Sequence, residues 1–222
     1  MTSIKIKSEN VQIGLLRIRN FKPIGDQTHF NTLVDQTIVK IHQDYGALSR
    51  KQLKQKSPID MFAEHYKQYG YSYPVLGQLE SFLKGDKQLE VDIPLLKVLL
   101  LTELESMLLM ACHDMTAVKM PLTLEKGAAD DAIHYVGISH RDQKISENDF
   151  YISDAEGVIS SILKGPDYRT RVTESTRDAL FVIYGPYEVN ALELNIHQTL
   201  DHLENLLKAC SPECIIEEKS VV

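Results

Sequence analysis

Helical and strand-like apolar patterns occupy separate blocks of this chain, and that order restricts the folds open to it. Over Thr32 to Leu48, Leu33, Val34, Ile38, Ile41, Tyr45 and Leu48 recur at steps of three and four, which places them on one stripe of a helix. Ser57, Pro58 and Asp60 form a helix-start signature: a hydroxyl to cap free amides, proline in the first turn, an acid near the positive end. Gly70 is placed to stop that helix. Pro74 and Gly85 bracket a shorter helix bearing Leu76, Leu79, Phe82 and Leu83, and Ile93 to Ala111 reads as one buried helix. The pattern then changes. Met120 to Leu124, Ala132 to Ile138, Gly157 to Leu163 and Ala179 to Tyr184 are short β-rich runs between turn residues. Ile4 to Ile6 and Val11 to Phe21 read as opening strands, and Glu188 to Ala209 as a closing amphipathic helix through Val189, Leu192, Ile196, Leu200, Leu203 and Leu207. This segregation predicts an α+β domain, a mostly antiparallel sheet flanked by helices, rather than a doubly wound nucleotide fold.

The chain has 222 residues and no Pro/Gly/Ser-rich linker, so it is read as one domain over 1–222, with 211–222 a candidate tail. Its N-terminus alternates charge with isoleucine and predicts no secretory leader. Lys97, Glu103 and Glu105 interrupt the longest apolar run, which argues against a membrane span and a membrane partner. Three cysteines without a CxxC pair fit reduced thiols and a cytoplasmic setting. No HExxH or Cys/His cluster accompanies the eight histidines, and His197 and His202 are five apart, so neither a metal nor another cofactor is expected. A net charge of −7, from 24 basic and 31 acidic residues, disfavours an extended grip on a phosphate backbone. Lys164, Arg169, Arg171 and Arg177 nevertheless fall within 14 residues, enough for a small basic lip.

Polar chemistry concentrates between Phe150 and Gly185, where two apolar strands bracket a hydroxyl-rich turn. Gly165-Pro166-Asp167 reverses the chain and presents Tyr168, Arg169, Thr170, Arg171, Thr173, Ser175 and Thr176. Alternation there sends Arg169 and Arg171 to one face and Thr170 and Val172 to the other, so hydroxyls could line a pocket with cations at its lip. The plainer reading has Thr173 capping a single turn through Thr176, with the arginines solvated. Asp154 reads as a turn residue closed by Gly157. Past the greasy helix, His113 and Asp114 could orient water, although an Asp at this place is more often a cap for the next turn. Cys112 reads as packing at a helix end rather than as a nucleophile.

VDIPLL, the ACHD segment and YISDAEGVISSILKGPDYRTRVTESTRDALFVIYG together resemble the B3/B4 domain of the phenylalanyl-tRNA synthetase beta subunit, over roughly Val11 to Ala209, and more closely the stand-alone proteins built from that domain. The best-matching succession is Asp154, the GPDxRT turn at Gly165 to Thr170, then Thr173 and Thr176. The resemblance implies a pocket at the sheet where a mischarged aminoacyl ester at the tRNA acceptor end is hydrolysed without metal, or where an amino-acid-like molecule is merely bound. On that likeness His113 and Asp167 orient water or the amino acid. Thr170, Thr173 and Thr176 bond the ester or ribose, Arg169 and Arg171 meet terminal phosphates, and Asp114 and Asp154 complete the binding set. The sequence departs from the synthetase pattern where Ala111 replaces the first histidine of HAFD, and where Asp167 is the acid nearest the turn.

Overall fold

In the computed structural model, which describes residues 4–7, 11–85, 91–129, 132–185 and 190–222, strands β1 (Ile4–Ile6) and β2 (Gln12–Arg19) open the chain. The first helical stripe becomes α1 (Thr28–Tyr45), buried through Phe30, Val34, Thr37, Ile41 and Tyr45. After the short α2 (Arg50–Leu53), held by a Ser49–Gln52 capping box, comes α3 (Ile59–Gln68). Ser57 does not cap α3 as expected: Pro58 occupies the cap position, and the Ser57 hydroxyl lies 3.9 Å from Met61 Sδ. Gly70 and Gly85, both at φ +75°, do close α3 and α4 (Pro74–Leu83).

The greasy run does not continue as one helix. Helix α5 (Pro94–Ser106) ends at Met107, which adopts a left-handed φ of 57°, and the chain re-enters the core as strand β3 (Met110–Asp114), buried along its whole length. A sequence apolar on every side suits a buried strand as well as a buried helix, so periodicity alone could not place this break. Cys112 therefore sits within a strand rather than at a helix end.

The remaining elements are β4 (Leu122–Lys126), β5 (His134–Val136), β6 (Asp142–Lys144), β7 (Phe150–Asp154), β8 (Gly157–Ser161), β9 (Gly165–Pro166), β10 (Ala179–Gly185), α6 (Asn190–Cys210) and β11 (Ile215–Val221). The expected start of the last helix at Glu188 lies outside the described residues. The fold is α+β, with its strands shared between two main sheets. One is ordered β1-β4-β7-β8-β9, parallel at β1–β4 and antiparallel elsewhere; the other is antiparallel, ordered β11-β2-β10-β3; β5 and β6 form a separate hairpin. Residues 211–222, read as a candidate tail, supply β11, which pairs along β2. Buried at all seven positions, β10 forms the axis of the second sheet, where Phe181 faces Leu16 on one side and Cys112 on the other. Helix α6 packs so closely on β2 that a Cβ at Gly14 would come within 2.6 Å of Ile196 Cγ2.

Candidate functional site

The loop after β9 is fastened to β3 by the polar residues that stand out in the sequence. Asp167 accepts the amide of Thr170 at 3.2 Å and also its hydroxyl, while Thr170 Oγ1 lies 2.8 Å from His113 Nδ1. Since the threonine proton goes to the acid, the ring must donate from Nδ1, and its buried Nε2 has no hydrogen-bond partner among the described residues. Burial pushes the His113 imidazole down to about 4, with Arg169 reinforcing the effect. One residue on, the Asp114 amide donates to Thr170 O at 2.8 Å. Its carboxylate accepts from the amide and hydroxyl of Thr116 at 2.9 and 2.6 Å and from the Thr176 hydroxyl at 2.5 Å. Asp114 thus caps the next turn and ties down the distant loop together. Thr176 Oγ1 in turn accepts the Thr173 amide at 3.0 Å, the small capped turn of the plainer reading.

Arg169 fixes the same loop to the β7–β8 turn. Its guanidinium donates to Asp154 Oδ1 and to Ala117 O, each at 2.8 Å. Asp154 also accepts the amides of Lys119, Glu156 and Gly157 at 2.8, 2.9 and 3.1 Å. Burial opposes charging Asp154, but those amides and Arg169 outweigh it and hold the carboxyl below the ordinary range. Asp167 goes the other way, raised by burial despite its bonds to Thr170.

Beneath the fastened loop lies a cavity of about 410 Å³. Both sheets and three helices wall it: Tyr66 of α3, Val75 of α4, Leu96, Leu99 and Glu103 of α5, Met110 to Cys112 of β3, Ser161 of β8, Gly165 and Pro166 of β9, and Tyr184 of β10. Its buried floor includes Glu103, whose Oε1 accepts the Met110 amide at 2.8 Å and so joins the end of α5 to the start of β3. Burial pushes the Glu103 carboxyl up to about 8, partly countered by that amide. The Cys112 thiol is also driven well up by burial, which leaves it a poor nucleophile.

Two cations of the lining, Lys164 and Arg171, are partly exposed and sit against aromatic rings. Lys164 Nζ stands 4.1 Å from the Tyr71 ring centroid and donates to its hydroxyl. Arg171 lies 3.6 Å over Tyr168, whose ring also meets His140 at 3.6 Å between centroids. Ile138, 51 % exposed, completes this edge.

Of the candidate catalytic and binding residues, Arg171 lines the cavity, together with Cys112, Lys164 and the Gly165-Pro166 turn also noted in the sequence; His113, Asp114, Asp154, Asp167, Arg169, Thr170, Thr173 and Thr176 are outside its lining. Thr170 and Thr176 do turn inward, but onto His113 and the acids Asp167 and Asp114. Lys164 entered the sequence reading as part of the basic lip, whereas Glu103, Ser161 and Tyr184 escaped it as site residues. For Glu103 a signal existed: Leu96, Leu99 and Glu103 follow steps of three and four, so a charge shares the stripe of two leucines. Among the described residues, no cluster of three or more His, Cys, Asp or Glu could hold a metal, and no helix is long and apolar enough to cross a membrane.

No family model matches the chain, and no curated protein matches it in sequence. Among solved structures, it is similar to an N-terminal fragment of the phenylalanyl-tRNA synthetase beta subunit from Pyrococcus horikoshii, at 10 % identity and a TM-score of 0.44. That alignment covers 94 % of this chain and 49 % of the other, so the chain spans about half the length of the structure it matches. The likeness is distant.

Proposed function

We propose that this protein binds a small amino-acid-like molecule, an apolar body with an anionic or ester-linked end, in the cavity between its two sheets. One observation carries the reading: a hollow of about 410 Å³, apolar over most of its wall, has two cations, Lys164 and Arg171, in its lining. Volumes of roughly 300–1,000 Å³ with a few polar groups among apolar ones are typical of small-ligand sites. Leu96, Leu99, Leu109, Ile162 and Leu163 receive the apolar body, while the rim cations meet the carboxylate or the first phosphate of a longer ligand. The network of His113, Asp167, Thr170, Asp114 and Thr176 acts behind the wall, holding the segment that carries Arg171 and Val172 in place. The setting is cytoplasmic, in keeping with free thiols at Cys112, Cys210 and Cys214. Calorimetric titration with apolar carboxylates tests the reading. Binding at micromolar to millimolar Kd, weakened at least tenfold in Arg171→Ala, is expected; absence of binding for every acid tried overturns it.

A second reading, hydrolysis of an aminoacyl ester at a tRNA acceptor end, is favoured by Lys164 and Arg171, cations set against Tyr71 and Tyr168 that a terminal phosphate would meet. Incubation with a panel of mischarged tRNAs decides it. Loss of ester with wild type and not with Arg171→Ala supports hydrolysis, and esters left intact beside measurable amino-acid binding assign the protein to binding alone.

A further inference from the structure

We infer that Glu103 selects the ligand by pairing with an ammonium group that the ligand carries. The inference rests on the cavity being a small-ligand site and adds which part of the molecule faces the floor. Glu103 is the acid among the described residues lining the cavity, it is 5 % exposed, and one of its oxygens is engaged by the Met110 amide at 2.8 Å. Tyr66 of α3 and Tyr73 at the start of α4 lie close enough to feel its charge, and Cys112 of β3 and Tyr184 of β10 share the cavity lining with it. Burial raises all four, so they stay neutral near pH 7 and none supplies a counter-charge. The cations of the lining are turned to other partners, Lys164 to Tyr71 and Arg171 to Tyr168, whose carbonyl the guanidinium meets at 2.8 Å. A lone carboxyl in an apolar wall is a costly feature unless something pairs with it. An ammonium is a compact cation with three donors and no acceptor, suited to a carboxylate set among leucines.

The placement orders the two ends of the ligand, with the ammonium toward Glu103 and the anionic or ester end toward Lys164 and Arg171. Burial keeps a proton on Glu103 near neutrality, so pairing with an ammonium requires that this proton leave to solvent. Charge then balances: the protonated acid and the ammonium become a carboxylate–ammonium pair plus one released proton. An acid lacking the amino group engages only the rim and releases none.

Titration calorimetry at pH 7 in two buffers of different ionisation enthalpy, with L-leucine and L-phenylalanine beside 4-methylpentanoate and 3-phenylpropanoate, tests the inference. The amino acids are expected to bind wild type at least tenfold more tightly than their des-amino partners, with proton release. Glu103→Gln should abolish both the preference and the release. Equal binding of amino and des-amino acids to wild type, or a preference that survives in a folded Glu103→Gln variant, overturns the role of Glu103 while leaving the small-ligand reading intact. Failure of all four to bind removes that reading and the inference with it. The wild-type comparison stands even where the variant does not fold.

Discussion

His113 Nδ1 and Thr170 Oγ1, 57 residues apart in sequence, meet at 2.8 Å and join β3 to the loop that rims the cavity. The contact fixes the ring as the Nδ1-protonated neutral form, because the threonine proton is committed to Asp167. Replacing Thr170 with Val keeps the volume and strips the hydroxyl from both partners, leaving buried groups unsatisfied. The expected loss is about 1–3 kcal/mol in denaturant unfolding, together with weaker ligand binding because the Arg171 segment loosens. Unchanged stability would show that the loop is held elsewhere.

The same histidine sets an acid limb. Its folded-state value, about 4, lies below the ordinary imidazole value of 6.5, so the unfolded chain takes up the proton first and stability falls as pH drops from 6.5 toward 4. The contribution is at most about 3 kcal/mol. In His113→Gln the unfolding midpoint should fall less steeply across that window than in wild type.

Glu103 produces the opposite slope. A carboxyl raised from 4.5 to about 8 binds its proton more tightly folded than unfolded, so its contribution is full below 4.5 and lost as pH rises through 8. Between pH 6.5 and 8, above the window of His113, wild type should lose stability with rising pH. Glu103→Gln should be flat over this range, which urea titrations at closely spaced pH values will check.

Ala111 lies in the cavity wall on a buried strand, so Ala111→Phe tests whether the hollow is a binding space. The larger side chain should cost about 1–3 kcal/mol of stability, leaving the protein folded while abolishing the calorimetric signal for apolar acids. Retained binding would place the ligand elsewhere.

The last strand is a stability element rather than an appendage. Ending the chain at Cys214 deletes β11, exposing the edge of β2 and removing the pairs of Glu217 with Arg17 and Arg19, both at 3.1 Å. The shortened protein should aggregate or melt well below the full chain, as light scattering and calorimetry would register.

Sequence pattern conveyed the class of the fold because its signals were local: stripes at helical spacing, Pro and Gly at helix ends, β-rich runs between turns. It failed where one composition serves two structures. The segment from Met107 to Asp114 is as apolar as the helix before it, and only the left-handed turn at Met107 and pairing with β10 make it a strand. The tail hid β11 because its edge strand alternates exposed Ile215, Glu217 and Lys219 with half-buried neighbours, a weak signal beside a charged C-terminus. The site was legible to the extent that polar residues cluster around the GPD turn, but their partners lie in β3. Which face each hydroxyl meets depends on tertiary register, and Glu103 drew notice only as a charge incompatible with a membrane.

The walls of the hollow belong to β3 and β10 of one sheet, β8 and β9 of the other, and helices α3 to α5. A guest lodged there would touch both main sheets and three helices at once. Amide hydrogen exchange in those four strands should therefore slow in concert when the guest is added, the two sheets behaving as one cooperative unit.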